Sequence, residues 1–350
     1  MRNKHVKKFL VGLTTICIIT GVSACGGKNN TQKESVVTEN SESDFFTEKV
    51  ATSTPWDESV DVDWDENSLK LSTGINMTYL TLGPEGGTPI VLIHGATDSR
   101  LSWFQVAPDL VEKGYRVYIP ELRGHGKTDK PKEDAYTIEE HTADIKSFID
   151  LLGFKKVNLV GHSLGTFISE ELAAKYPDLV TSVTLIGAGY KVQGNEVIDW
   201  VLNGDGKSFK GVNAYKDGEE IPDEFVQEWT TTVNEDQEFA RGIYEQAKGL
   251  PNYAWSAIFN GLNGQNIADD LAKIKAPVQI IWGSEDIVFP KAEQKQLIKY
   301  LTNASFVNFT QIDGADHNTH WASAEIASQV ADLIAKNVEK KSAKNGCCDN

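Results

Sequence analysis

Short apolar runs alternate with longer amphipathic segments through the middle of the chain. Residues 89–93 form a nearly continuous apolar run, which is typical of a strand buried on both faces of a sheet. Comparable runs lie at 115–119, 157–160, 183–186, 278–282 and 306–309. The intervening segments predict helices at 103–113, 138–152, 164–175, 291–301 and 322–338. This alternation predicts the α/β fold class, with a mostly parallel sheet, helices on both faces and ligands at the carboxyl ends of the strands.

Two segments depart from the alternation. Residues 69–82 predict a hairpin that turns at Thr73-Gly74 and supplies the first two strands. The stretch from about 190 to 274 is mainly helical in pattern and rich in aromatic residues. We therefore expect a helical cap inserted between the sixth and seventh main strands, within a folded domain that spans residues 68–338.

The first 24 residues have the pattern of an export signal. Four basic side chains precede an apolar run of about 16 residues, which is shorter than the ~20 residues that a membrane-spanning helix needs. The run ends in Val22-Ser23-Ala24-Cys25, which resembles the lipobox of bacterial lipoproteins. That resemblance implies cleavage before Cys25, a lipid on its sulfur, and an exported protein anchored at the membrane surface of the bacterial cell envelope. The alternative is a plain secretory signal followed by an incidental cysteine.

Polar segments flank the predicted domain. Residues 25–67 are rich in Ser, Thr, Asn, Asp and Glu, which predicts a flexible acidic tether, and residues 339–350 predict a polar tail. The four cysteines, at 17, 25, 347 and 348, all lie outside the domain, so neither a disulfide framework nor a cysteine zinc site can hold its core. The pair Cys347-Cys348 could cross-link or bind a soft metal, and an incidental pair is the alternative.

The charge of the chain limits the classes of partner. The formal net charge is −16, with 50 acidic residues against 34 Lys and Arg. Such a surface repels nucleic acid, which is therefore not expected as a partner. The excess of carboxylates favours solubility instead.

The strongest chemical signal is the sequence Gly-His-Ser-Leu-Gly at residues 161–165, between the strand at 157–160 and the helix at 164–175. A nucleophilic serine in this context sits on a sharp, strained turn, where side chains two residues before and after it would collide. Gly161 and Gly165 remove those side chains. The amino end of the following helix also favours negative charge beside Ser163. The pattern indicates that Ser163 is a nucleophile, and a simple helix cap is the alternative.

Other motifs extend this signal. His94-Gly95-Ala96-Thr97 follows the third predicted strand, and the sequence Leu-Arg-Gly-His-Gly-Lys-Thr-Asp-Lys-Pro at residues 122–131 follows the fourth. Together with the serine motif, they resemble the α/β-hydrolase superfamily over roughly residues 68–338. The resemblance is to its esterase-like serine hydrolases. It implies the α/β-hydrolase fold, no cofactor and a small ester-like substrate.

A serine hydroxyl is a weak nucleophile until a base removes its proton and an acid orients that base. The resemblance assigns the acid to Asp286, in the loop after the seventh strand, with the neighbouring Glu285 as the alternative. It assigns the base to His317, after the last strand, which gives the chain order Ser, Asp, His. The backbone N–H groups of Ala96 and Leu164 are expected to form the oxyanion hole.

The other histidines have packing or hydrogen-bonding interpretations. Their expected roles are packing in the serine turn for His162, loop hydrogen bonding for His94 and His125, and a helix surface for His141. His320 follows His317 by three residues in a predicted loop, without the helical His-Glu-x-x-His pattern. It is therefore expected to pack or to line the pocket, and no metal site is predicted.

Three tryptophans are candidates for the wall of a substrate pocket: Trp103, Trp229 and Trp255. Trp229 and Trp255 belong to the predicted cap, which in this architecture hangs over the carboxyl ends of the strands. An apolar roof there favours an acyl chain by about 0.8 kcal/mol per buried methylene. Packing within the core or the cap is the alternative for each of the three.

A serine at the turn excludes the epoxide hydrolases and haloalkane dehalogenases, whose covalent step uses an aspartate at that position. The leading hypothesis is a hydrolase of short or medium carboxylic esters that forms an acyl-enzyme. A carbon–carbon bond hydrolase with the same three residues is the first alternative. A surface-tethered binding or sensory lipoprotein without turnover is the second.

Overall fold

The structure is a computed structural model that describes residues 49–50, 64–132, 136–231 and 237–345. Most of the predicted signal and tether, including Cys25, lies outside the described residues, and so does the pair Cys347-Cys348. The described ranges contain the predicted domain with its hairpin, main strands and cap.

Nine described strands form one sheet. They are β1 (Lys49–Val50), β2 (Asp65–Lys70), β3 (Asn76–Leu82), β4 (Thr88–Ile93), β5 (Tyr115–Pro120), β6 (Val157–His162), β7 (Val180–Ile186), β8 (Val278–Gly283) and β9 (Val307–Ile312). Their order across the sheet is β1-β9-β8-β7-β6-β4-β5-β3-β2. The pairs β2/β3 and β3/β5 are antiparallel, and the other pairs are parallel. The predicted fold class and the mostly parallel sheet are confirmed.

Helices connect the strands and cover both faces of the sheet. They are α1 (Ala107–Glu112), α2 (Ile138–Leu151), α3 (Leu164–Lys175), α4 (Glu196–Asn203), α5 (Asp223–Trp229), α6 (Gln237–Lys248), α7 (Asn252–Leu262), α8 (Ala268–Leu271), α9 (Lys291–Tyr300) and α10 (Ala324–Asn345). The bounds of α3 agree with the prediction from sequence. The prediction of one helix over 103–113 is wrong, because a 3₁₀ turn at Arg100–Trp103 precedes a helix that begins only at Ala107. Proline near that start has no N–H to donate and restricts the residue before it.

The ends of the domain also differ from the sequence prediction. β2 begins at Asp65, inside the predicted tether, and Lys49–Val50 adds a short parallel strand beside β9. Most side chains of β2 are exposed, so its apolar pattern gives no signal. At the other end, α10 continues to Asn345, past the predicted boundary of the polar tail at 339. Polar residues such as Lys and Glu favour a helix without marking a buried face.

Two hydrophobic cores lie on opposite faces of the sheet. In β4, Val91 and Ile93 belong to one cluster of buried side chains, whereas Ile90 and Leu92 belong to the other. This alternation follows from the two-residue period of a strand. Side chains of α2 and α3 complete the first cluster, and side chains of α1 and α10 complete the second. The strands are therefore buried on both faces, as their continuous apolar runs predict.

Helices α4 to α8 lie between β7 and β8, where the sequence predicts a cap. They contact loops at the carboxyl ends of the strands. The indole of Trp229 donates a hydrogen bond to Thr97 Oγ1 at 2.8 Å, and the hydroxyl of Tyr253 donates one to the carbonyl of Lys130 at 3.0 Å. Within the described ranges, no helix is both long and apolar enough to cross a membrane.

Helix α3 contains a buried carboxyl group without partners. Glu170 is 1% exposed, and neither of its carboxyl oxygens has a hydrogen-bond partner. Burial raises the pKa of this carboxyl well above its ordinary value. Because the unfolded chain releases the proton at a lower pH than the folded chain does, Glu170 lowers the stability of the fold as the pH rises above about 4.5.

We therefore predict that Glu170→Gln raises the melting temperature more at pH 8 than at pH 4.5, because glutamine stays neutral at both values. Each unit of pKa difference corresponds to about 1.4 kcal/mol, and about 1 kcal/mol shifts the melting temperature of a domain this large by roughly 2 °C. Glu171→Gln is the matched control, since Glu171 accepts a hydrogen bond from Thr142 at 3.0 Å and pairs with Lys175. That change should lower the melting temperature. An equal shift for Glu170→Gln at both pH values would contradict the account.

Candidate active site

Ser163 occupies a strained turn between β6 and α3. Its backbone angles are φ 49° and ψ −114°, and its N–H donates to the carbonyl of Ile186 at 3.1 Å. A Cβ atom at Gly161 would lie 2.2 Å from the carbonyl oxygen of Gly165, and one at Gly165 would lie 2.2 Å from the carbonyl oxygen of Ile93. Both glycines are therefore required for the backbone to close around the serine.

Asp286 and His317 meet in the loops that follow β8 and β9. Nδ1 of His317 lies 3.0 Å from Oδ2 of Asp286. The other carboxyl oxygen accepts hydrogen bonds from the N–H groups of Val288 and Phe289, at 2.8 and 3.0 Å. The carboxylate is thus held from two sides. Glu285, the alternative acid, is exposed, and the carboxylate bonded to His317 is that of Asp286.

The contact with Asp286 defines the state of the imidazole. A carboxylate only accepts, so Nδ1 of His317 carries the hydrogen and Nε2 is left as the acceptor of the neutral ring. Burial opposes the charged ring, but the attraction of Asp286, its hydrogen bond and the nearby Asp316 outweigh burial and raise the pKa of His317 above 6.5. His317 is thus a base that is protonated more readily than free histidine.

A glycine turn after β7 brings the serine and the histidine together. Ile186 accepts the hydrogen bond from the N–H of Ser163, and the next residue is Gly187, with φ 57°. A Cβ atom at Gly187 would lie 3.0 Å from Nδ1 and from Cε1 of His317. Ser163 therefore contacts Ile186, and His317 lies close to the next residue, Gly187. The structure brings Ser163, Asp286 and His317 to the carboxyl ends of β6, β8 and β9.

The loop after β4 lies against the serine. A Cβ atom at Gly95 would lie 2.8 Å from Nδ1 of His162 and 3.2 Å from the Cβ of Ser163, so the absence of a side chain allows this close approach. Ala96 follows, and Leu164 begins α3. Among the described residues, no protein group accepts a hydrogen bond from the N–H of Ala96 or of Leu164. Both N–H groups are thus free to bind an oxygen beside Ser163.

Two buried histidines join this loop to the loop after β5. Nε2 of His94 accepts the N–H of Leu122, and Nε2 of His125 accepts the N–H of Thr97, both at 3.0 Å. In each ring the Nδ1–H donates to a backbone carbonyl, that of Gly95 for His94 and that of Arg123 for His125. Burial lowers the pKa of His125 to about 4, so its ring stays neutral and able to accept. The predicted loop hydrogen bonding of His94 and His125 is confirmed.

The positions of one histidine and of the candidate pocket tryptophans differ from the predictions in part. His141 is wholly buried, so its prediction as a helix-surface residue is wrong. Trp103 and Trp255 are also fully buried, and they pack in this structure, because a side chain that lines an open pocket keeps exposed surface. Trp229 is partly buried and bonds to Thr97, directly after Ala96. Thr97 has a φ of 59°, and the motif at residues 94–97 does not predict its hydrogen bond with Trp229.

Comparison with known proteins identifies the family to which this chain belongs. The model of a protein family described as having the alpha/beta hydrolase fold matches residues 88–324. The chain belongs to this family. An uncharacterised protein of Mycobacterium tuberculosis is 28% identical over 220 residues, which cover 58% of this chain and 63% of that protein. The match thus spans less than two thirds of that relative.

Two further comparisons differ in the named activity of the relative. A 2-hydroxy-6-oxononadienedioate/2-hydroxy-6-oxononatrienedioate hydrolase of Paraburkholderia phymatum is 26% identical over 277 residues, which cover 77% of this chain and 92% of that protein. The structure of an esterase from Exiguobacterium antarcticum aligns with a TM-score of 0.65 and 17% identity, over 78% of this chain and 98% of the esterase. The second comparison shows a shared fold.

The raised pKa of His317 predicts a pH dependence for the modification of Ser163. Only the neutral ring accepts the serine proton, so the rate of reaction with a fluorophosphonate should rise with pH and have its midpoint above 6.5. Asp286→Asn removes the carboxylate that raises the pKa, so the midpoint should move down as the rate falls. Second-order rate constants from about pH 5 to about pH 9 measure this. An unchanged midpoint in the variant would show that another group titrates.

Proposed function

We propose that this protein is a serine hydrolase of small or medium carboxylic esters. The observation that carries the proposal is the hydrogen bond between Asp286 and His317 beside a serine on a strained turn. This arrangement supplies an oriented base and a partly exposed serine at the same edge of the sheet, which is what nucleophilic acyl transfer needs. The free N–H groups of Ala96 and Leu164 supply an oxyanion site.

The proposed reaction has two stages. In the first, Nε2 of His317 takes the hydroxyl proton as Ser163 Oγ attacks the acyl carbon, and the two N–H groups bind the oxyanion. The protonated ring then gives its proton to the leaving alcohol, and an acyl-enzyme remains. In the second stage, His317 takes a proton from a water whose oxygen attacks the acyl carbon. The bond between that carbon and Ser163 Oγ then breaks, the protonated ring returns its proton to the serine, and the carboxylic acid leaves. Asp286 holds the ring in the required tautomer and stabilises its charged form.

Two alternatives remain in competition with ester hydrolysis. The relative from Paraburkholderia phymatum, matched over 92% of its length, is named as a hydrolase of a dioic acid with an enol and a ketone. Cleavage of a carbon–carbon bond in a vinylogous diketone uses the same three residues, so this relative favours it as the second candidate. A binding protein without turnover is disfavoured by the ordered Asp286–His317 pair, since binding alone does not require an oriented base.

The direct test measures labelling and turnover on the same preparations. We expect a fluorophosphonate to label wild type, and Ser163→Ala to remain unlabelled. We also expect wild type to hydrolyse nitrophenyl esters from acetate to octanoate, and Ser163→Ala or His317→Ala to lose about 10⁴-fold in kcat/KM. The double variant should lose little more, because the residues act as a unit.

The outcomes separate the three candidates. Labelling with ester turnover supports the proposal. Labelling without ester turnover, but with cleavage of a vinylogous diketone, favours the carbon–carbon hydrolase. Labelling that survives Ser163→Ala contradicts the assignment of the nucleophile. A protein that is neither labelled nor active on either substrate class would be the binding protein.

We further propose that the protein is exported and held at the membrane surface by a lipid on Cys25. The support is the sequence Val22-Ser23-Ala24-Cys25 after a basic start and an apolar run. A diacylglyceryl group supplies two chains, which is enough for stable attachment where one chain is marginal. The acidic segment after Cys25 would then separate the hydrolase domain from the bilayer.

The test of the anchor is Cys25→Ala in the producing bacterium. We expect the variant to accumulate as unprocessed precursor or to leave the membrane fraction, because no sulfur is available for the lipid. Fractionation with immunoblotting and the intact mass of the mature protein measure both effects. Equal partitioning of wild type and variant would contradict the proposal, and Cys347→Ala is the matched control.

A further inference from the structure

A second cluster of titratable side chains lies behind the strained serine turn. Asp98 comes from the loop after β4, His162 is the last residue of β6, and His320 lies on a 3₁₀ turn at Thr319–Trp321. All three are buried, and one nitrogen or oxygen atom from each lies within 4.8 Å of the other two. Oδ2 of Asp98 is 3.7 Å from Nδ1 of His162. The proposed acyl transfer uses none of the three side chains.

Hydrogen bonding fixes which atom of His162 faces the cluster. Its Nε2 lies 3.2 Å from the carbonyl oxygen of His317. A carbonyl only accepts, so Nε2 carries the hydrogen, and Nδ1 of the neutral ring presents a lone pair. That lone pair is buried without a hydrogen-bond partner, and it faces a carboxylate oxygen that is also an acceptor. Two acceptors face each other with no hydrogen between them.

His320 adds ring nitrogens without partners to the same cluster. Both of its ring nitrogens are buried without a hydrogen-bond partner, and its ring lies 4.4 Å from the ring of His162. The ring centroid of Trp103 lies 4.5 Å from that of His320, but the indole N–H of Trp103 has no hydrogen-bond partner among the described residues. A neutral imidazole always has one lone pair. Each ring can therefore present a lone pair beside the Asp98 carboxylate, where a positive charge would stabilise all three side chains.

We propose that Asp98, His162 and His320 bind one divalent transition-metal ion, for which Zn²⁺ is the best match. Two imidazoles and one carboxylate are a ligand set that zinc accepts. Tetrahedral zinc with bonds of about 2.1 Å places its ligand atoms about 3.4 Å apart, close to the 3.7 Å between Asp98 and His162. A ring nitrogen of His320, which lies within 4.8 Å of the other two ligand atoms, would move toward them to complete three positions, and a water can take the fourth.

The groups around the cluster are those that orient metal ligands. A ligating histidine usually donates its second N–H to a carbonyl or carboxylate, as His162 does to the carbonyl of His317. Asp98 is held by the N–H of Ser99, at 2.7 Å from Oδ1, and by the N–H of Gly95, at 3.4 Å from Oδ2.

The three ligands come from segments that also position the candidate active site. Asp98 lies two residues after Ala96, His162 precedes Ser163, and His320 lies three residues after His317. One ion would therefore join the loop after β4, which contains Ala96, the turn at Ser163, and the loop after β9, which contains His317. Its role is structural, and the inference does not depend on the substrate or on turnover.

The experiment measures metal binding to the full chain with its thiols blocked by N-ethylmaleimide, so that the cysteines cannot contribute. We expect wild type to retain one Zn²⁺ per chain after dialysis and to give an intense tetrahedral visible spectrum with Co²⁺. Asp98→Asn and His320→Phe should each weaken binding by about 100-fold or more. Zn²⁺ should raise the melting temperature of wild type and leave that of the two variants unchanged.

His141→Phe is the matched control, because His141 is another buried histidine whose ring nitrogens have no partner but which lies outside the cluster. It should bind Zn²⁺ as wild type does. Should the cluster variants fail to fold, X-ray absorption of Zn²⁺-loaded wild type decides, and imidazole and oxygen ligands at about 2.0 Å support the site. Absence of stoichiometric binding, equal binding in His320→Phe, or sulfur ligands would overturn the proposal.

Discussion

The close packing of backbone around Ser163 is the constraint on which the rest of this site depends. A positive φ at a non-glycine residue costs of order 1–3 kcal/mol and persists only where its surroundings enforce it. Here the enforcement comes from β6, from the hydrogen bond between the N–H of Ser163 and Ile186, and from glycines at 161 and 165. Because both glycines lack side chains, they add no packing to either hydrophobic core. The strain places the hydroxyl at the edge where the neighbouring loops converge.

Hydrogen bonds join those loops to one another. His94 and His125 connect the loops after β4 and β5, and Asp286 connects the loops after β8 and β9 by binding His317. Neutral buried imidazoles serve the first connection, and a charge-assisted contact serves the second. Preorganised polar groups of this kind lower the reorganisation that a developing oxyanion would require. The same reasoning applies to the ring nitrogens behind the serine turn, because Nδ1 of His162 and both ring nitrogens of His320 are buried without a hydrogen-bond partner.

Much of this arrangement can be predicted from sequence where one pattern decides it. The run 157–160 and the helix 164–175 are marked by apolar periodicity, and the glycines at 161 and 165 mark the turn between them. The start of β2 at Asp65 could not be found in this way, because the side chains of this strand are mostly exposed. The burial of His141 was missed for a related reason, since a single histidine in an amphipathic helix does not reveal its face.

Contacts between distant loops are the part that sequence leaves open. Trp229 and Thr97 are bonded across 132 positions of the chain, and neither belongs to a motif that indicates the pairing. Asp98, His162 and His320 come from three separate segments with no regular spacing, so the metal-ligand patterns that sequence reveals do not apply. Such sites arise from the order of strands in the sheet, which brings β4, β6 and the loop after β9 to one edge.

The most direct test of this account is a crystal structure of the protein after reaction with an alkyl fluorophosphonate. The account predicts phosphorus bonded to Ser163 Oγ, with the phosphoryl oxygen about 2.7–3.1 Å from the N–H nitrogens of both Ala96 and Leu164. Nε2 of His317 should lie within hydrogen-bond reach of the serine oxygen. An adduct on another residue, or a phosphoryl oxygen that points away from both N–H groups, would contradict the proposed active site.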